Sequence, residues 1–172
     1  MAEGLLRAKL AARGIAANVS SAGLSFDDHA ATPESVAALR ARGVDIDAHR
    51  SRILDAQIVD DADLIIAMER MHAREVMVLD PDAVRRTFTL KELVRRAVSI
   101  GPRDPGEPLD AWLERAAAGR RTADLMGSSS EDDVADPYRR SDAVYERCAT
   151  EIDELVTMLV RLGWPSAAEG AA

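Results

Sequence analysis

Asp63-Leu64-Ile65-Ile66-Ala67-Met68 is a short, nearly unbroken apolar run. A run of this length without polar alternation is the pattern of a strand covered on both faces in a parallel sheet. Its surroundings support that reading. Downstream, a helix over Glu69 to Leu79 stops at Asp80-Pro81, and Thr87-Phe88-Thr89-Leu90 is a second short β-rich run. Upstream, Ala2, Leu5, Leu6 and Leu10 share one helical face, and Gly14 supplies a left-handed stop. Ile15 to Ser21 reads as a strand. Thr32 and Pro33 announce a helix that turns Val36, Ala37 and Leu39 inward and ends at Gly43. Strands that alternate with helices imply parallel pairing by right-handed crossovers. The expected fold is therefore α/β, a three-layer arrangement of a parallel sheet flanked by helices, with its ligand site at the carboxyl ends of the strands.

The rest of the chain fills in this frame. Lys91 to Val98 and Ala111 to Ala118 are helical in pattern, separated by Gly101-Pro102-Arg103-Asp104-Pro105-Gly106; residues 91–130 read as a surface insertion. Val144, Cys148, Ile152, Leu155, Val156 and Leu159 form the stripe of a long final helix, capped by Ser141 and ended by Gly163 and Pro165. One domain over residues 1–163 and a loose tail over 164–172 are expected.

Composition narrows the function. The chain has 172 residues, 47% hydrophobic and 30% charged, with a formal net charge of -8. That charge disfavours nucleic acid or an anionic membrane as the main partner. No apolar run is long enough to span a bilayer, and one cysteine with three histidines gives neither a disulfide framework nor a dedicated metal site. A reducing, cytoplasmic setting is expected.

Several residues can carry chemistry. Asp136-Pro137-Tyr138 places an acid on a constrained loop beside an aromatic, a fit for proton donation to a leaving group, and equally an ordinary turn before a helix. His49 fits a base, a phosphate donor or a loop-orienting histidine. Arg50 and Arg52 fit anion binding or a solvated surface. Cys148 lies on the apolar stripe of the final helix and reads as an inert buried thiol. Ser21 has no nucleophile elbow around it.

Taken in order, these landmarks resemble the low-molecular-weight protein tyrosine phosphatases over residues 1–163. The matches are Met1-Ala2-Glu3-Gly4-Leu5-Leu6, Ser20-Ser21-Ala22-Gly23, Gly43-Val44 followed by His49-Arg50-Ser51-Arg52, Ala62-Asp63-Leu64-Ile65-Ile66 with Met68-Glu69, and Asp136-Pro137-Tyr138. The resemblance implies hydrolysis of phosphotyrosine on a protein substrate, without metal or cofactor. Asp136 would be the general acid and base, Tyr138 and Phe26 the aromatic walls, and Ser21, His49 and Pro137 the residues that shape the loops. The family also carries a central first strand, between those near Val19 and Ile65, and a phosphate loop of Cys, five residues, Arg and Ser-Pro. These residues hold no such motif, because the sole cysteine, Cys148, is followed six places on by Glu154. Met1 is therefore expected to be an internal methionine of a longer protein. The chain as written is expected to be inactive and, with a gap in its sheet, of low stability. A non-catalytic pseudophosphatase that binds a phosphorylated or acidic partner is the alternative. An arsenate reductase of the same fold would need relay cysteines in addition to Cys148.

Overall fold

The computed structural model describes residues 1–121 and 130–166. It divides into two compact units, Met1–Leu54 with Ala135–Thr157, and Asp55–Val134 with Met158–Ala172. The expected α/β character holds: helices predominate, with a small parallel sheet.

The first unit is built on helices. Helix α1 (Ala2–Ala12) buries Gly4, Leu5 and Leu10. Gly4 is required there by space. A Cβ on it would lie 2.8 Å from Ile46 Cγ2 and within 3.2 Å of Val44 and Leu39 side-chain atoms. Helix α2 (Pro33–Arg40) begins as the sequence indicates, with the Thr32 hydroxyl accepting from the Ser35 amide and Pro33 at the first position. It buries Ala38 and Leu39, while Ala37 is exposed, against expectation, because the inward stripe runs one residue later. The expected strand over Ile15 to Ser21 does not form. No strand among the described residues offers that segment a ladder, so it stays irregular.

The second unit contains the sheet. Helix α3 (Ala56–Asp60) precedes strand β1 (Ile65–Ala67), which pairs in parallel with β2 (Thr87–Thr89), Ile66 opposite Phe88. Helix α4 (Arg70–Leu79) and a 3-10 turn at Pro81–Arg85 form the crossover between the two strands. The run that set the fold is less covered than its composition suggests: Ala67 is buried, but Ile65 and Ile66 are half-buried. Pairing explains this. Among the described residues β1 has a ladder partner on one edge only.

Residues 91–130 correct the sequence reading in part. Helices α5 (Leu90–Ile100) and α6 (Leu109–Ala117) lie there, and Leu93, Trp112, Leu113 and Ala116 are core residues of the second unit. Residues 122–129 of that stretch, and 167–172 of the expected tail, lie outside the described residues. The charged groups of this region are also tied in. Glu92 accepts hydrogen bonds from Arg96 and Arg120, and the Arg120 guanidinium sits 4.4 Å from the Phe88 ring centroid. Asp132 accepts from Arg70 and Arg95. The final helix α7 (Asp142–Gly163) runs from the first unit's residues into the second's, with Tyr145, Cys148, Ile152, Val156 and Leu159 buried. No helix among the described residues is long and apolar enough to cross a membrane.

Candidate functional site

Every site residue expected from sequence belongs to the first unit. Two loops and the first turn of α1 carry them. The loop from Ser21 to Ala30 has little apolar content and needs outside support, which comes from residues 50–54. Gly23 donates to the Arg52 carbonyl at 2.8 Å and accepts from the Leu54 amide at 2.8 Å. Asp28 donates to the Ser51 carbonyl and Ser51 to the His29 carbonyl, both at 2.9 Å. The Ser51 hydroxyl accepts the His29 amide at 3.0 Å. Backbone pairing thus fixes a segment whose side chains face water.

The second loop, Asp136 to Arg140, is shaped by its own sequence. Asp136 accepts the Tyr138 amide on Oδ1 at 3.0 Å, Pro137 is buried and restricts the backbone, and the Arg140 amide donates to the Pro137 carbonyl at 2.9 Å. Asp136 itself is exposed. The two loops meet at their aromatics. Phe26 and Tyr138, 48% and 42% exposed, have ring centroids 5.9 Å apart at a tilt of 55°. Phe26 also lies 5.4 Å from the His29 ring. A tilted aromatic pair of this exposure is a ready wall for a planar group.

The residues expected to shape the loops, Ser21 and His49, come together on a group that the sequence reading did not single out. The Ser21 hydroxyl donates to Glu3, Arg7 donates to the other Glu3 oxygen, and His49 Nδ1 lies 3.5 Å from Glu3 Oε2. Burial pushes the Glu3 carboxyl up, yet hydrogen bonds from Ser21 and Arg7, with the charges of Arg7 and His49, hold it below the ordinary carboxylate range. Read from sequence, Glu3 is an acid that complements the helix dipole in a first turn. Only the distant approach of Ser21 and His49 reveals it as the point where the helix, the first loop and residues 46–52 are joined. Arg52 adds a further tie, donating to the Ser21 carbonyl at 3.2 Å.

Cys148 lies apart from this chemistry. It is buried and its thiol donates to the Ala135 carbonyl at 3.5 Å, as expected of a structural thiol. What the described residues assemble is an exposed acid beside an aromatic wall and, tied to the same first loop, a cluster in which Glu3 at a helix amino end accepts from Ser21 and Arg7 and lies 3.5 Å from His49. That set can pack on an aryl group and exchange a proton.

Known proteins are similar to the chain along most of its length. The model of low molecular weight phosphotyrosine protein phosphatases matches residues 1–111. A protein-arginine-phosphatase of Bacillus subtilis (strain 168) is 26% identical over 162 residues, 94% of this chain and 85% of that protein. A probable low molecular weight protein-tyrosine-phosphatase of Ralstonia nicotianae is 33% identical over 94 residues, 54% of this chain and 62% of that protein. The crystal structure of a low molecular weight protein tyrosine phosphatase from T. tengcongensis is similar with a TM-score of 0.68 and 28% identity, covering 93% of this chain and 87% of that one. With its family match, its fold and its ordered landmarks in agreement, this chain belongs to the low molecular weight phosphotyrosine protein phosphatase family.

Proposed function

We propose that the protein acts on phosphotyrosine in protein substrates, with Asp136 as the proton donor and Phe26 and Tyr138 as walls for the substrate ring. The observation that carries this is the meeting of Phe26 and Tyr138 two residues from Asp136. A phenolate, whose parent acid has a pKa of about 10, leaves poorly near neutral pH, so a carboxylic acid beside the ring supplies what the reaction lacks. In the cysteinyl-phosphate route, a thiolate attacks phosphorus, the bond to the phenolic oxygen breaks, and Asp136 passes its proton to that oxygen. Asp136 then takes a proton from water as the water displaces the thiolate and releases inorganic phosphate.

The 172 residues contain no Cys-x5-Arg, so the thiolate and the phosphate-binding guanidinium of that route are not among them. By themselves they are expected to be inert. A second reading, phosphoarginine as the substrate, is favoured by the Bacillus subtilis relative, which matches 94% of this chain.

A fusion tests both. A strand and phosphate loop taken from a family member is joined ahead of Met1, and turnover of p-nitrophenyl phosphate, a phosphotyrosyl peptide and a phosphoarginyl peptide is measured. The 172-residue chain should hydrolyse none of them. The fusion should prefer the phosphotyrosyl peptide, and Asp136→Asn should lower its kcat by about 10²- to 10⁴-fold. Turnover by the 172 residues alone, or an active fusion indifferent to Asp136→Asn, contradicts the mechanism. Preference for the phosphoarginyl peptide replaces the first substrate with the second.

A further inference from the structure

Arg139 stands immediately after the aromatic wall in a backbone conformation that side chains avoid. Its φ is +61°, in the left-handed region. Asparagine, aspartate and glycine tolerate that region, and arginine has no local means of easing it. Such outliers persist where the surrounding structure holds them, and they gather at functional sites. The consequence of this turn is placement: the Arg139 guanidinium lies 5.2 Å from the centroid of the Tyr138 ring, on the wall itself.

Charge pairing sharpens the point. Elsewhere in the described residues several arginines are matched with carboxylates, such as Arg42 with Glu146, Arg95 with Asp132 and Arg115 with Glu107, while others, such as Arg103, donate to carbonyls. At the site Arg7 is paired with Glu3, whereas the arginines beside the aromatic wall are not paired. Among the described residues Arg139 has the Tyr138 ring and no carboxylate, Arg140 has no ion pair, and Arg52 donates to a carbonyl. A guanidinium stacked on a ring keeps its edge donors available, in the planar fork that fits a carboxylate.

We propose that Arg139, supported by Arg140, selects substrates that carry an aspartate or glutamate next to the phosphorylated residue. This deepens the reading of the site given above and rests on it. Asp136 and Asp142 lie three positions before and after Arg139, and Asp27 and Asp28 are on the facing loop, so the field around the wall is mixed. Selection is accordingly by contact with the guanidinium edge, not by long-range attraction. The expected effect is correspondingly modest.

Binding of four labelled peptides to the 172-residue chain, followed by fluorescence anisotropy, tests this. Each has a central tyrosine or phosphotyrosine, flanked either by glutamates or by lysines. The glutamate-flanked peptide should bind about threefold to tenfold tighter than its lysine counterpart at low salt, in both the tyrosine and phosphotyrosine forms, and the ratio should shrink as salt is raised. Arg139→Gly, which relieves the left-handed backbone and so cannot fail by added strain, should bring the ratio close to one and leave the lysine-flanked peptide bound no more weakly. Equal weakening of both peptides by Arg139→Gly, a ratio that survives it, or no measurable binding of the glutamate-flanked peptide overturns the proposal. The separate comparison of phosphotyrosine with tyrosine reports on the phosphate site, so failure there leaves the result on flanking charge distinct.

Discussion

The two units hold themselves together by different means. The second has aromatic bulk in its core, with Phe88 and Trp112 wholly buried, a two-stranded ladder, and buried ion pairs in which Arg120 is 5% and Glu92 7% exposed. The first buries Tyr145 and aliphatic side chains such as Leu5, Leu39 and Ile152, brings Gly4 close against Ile46, and fixes its site loops by hydrogen bonds to neighbouring backbone. Large side chains confer stability through burial and tolerate little change in volume. Loops confer chemistry and are held by whatever spans them. The division suggests that stability and site are carried by separate sets of residues, and this can be broken or sharpened by substitution.

The largest effect is expected at Trp112. Trp112→Ala removes a fully buried indole that also donates to the Gly101 carbonyl at 3.3 Å, and should cost about 3–5 kcal/mol in chemical denaturation. A loss below about 1 kcal/mol would contradict its place in the core.

Next is the ion pair beneath Phe88. Arg120→Met leaves Glu92 with Arg96 alone and removes the cation from the Phe88 ring, and a cost of about 1.5–3 kcal/mol is expected from thermal or urea melts.

In the first unit, Gly4→Val should cost about 1–3 kcal/mol although valine favours a helix more than glycine does, because its Cβ meets Ile46. A neutral or stabilising outcome would show that α1 can shift, and that the close approach is not what sets it.

The smallest effect is in acid. Burial pushes the Asp132 carboxyl up, but the hydrogen bonds and charges of Arg95 and Arg70 outweigh it and leave the group below its ordinary value. A carboxyl depressed in the folded state stabilises above its unfolded pKa, about 3.9, and that contribution fades as pH falls through the folded value. Asp132→Asn should therefore flatten the dependence of stability on pH below about pH 4 and lower stability at neutral pH. An unchanged slope in urea melts taken between neutral pH and acid would count against the pairing.

The sequence made the second unit's sheet and the helix starts legible because both are local patterns. Asp63 to Met68 and Thr87 to Thr89 are short apolar or β-branched runs, and Thr32-Pro33 is a capping signal read within four residues. The burial of Trp112 was not legible, since the glycines and prolines around Gly101 to Gly106 suggest a surface excursion while the helix they introduce packs inward. The absence of a strand at Ile15 to Ser21 was hidden for a related reason: β propensity describes the segment, but a strand exists only where another chain segment offers a ladder. At the site, Asp136 and Tyr138 were singled out through ordered motifs and Phe26 through the family resemblance. Glu3 stands in the first of those motifs, but its joining role was not legible, because it is defined by hydrogen bonds from residues far along the chain, and the position proposed for Arg139 rests on a single backbone angle.

The central claim, that the first unit alone carries the site, is tested most directly by amide chemical shifts of the isotope-labelled chain during titration with phenyl phosphate. Shifts are expected at the first turn of α1, at Ser21 to His29, around His49 and at Asp136 to Arg140, with α5 and α6 unaffected. Shifts concentrated in α5, α6 or β2, with the amides of Phe26 and Tyr138 unmoved, would contradict it.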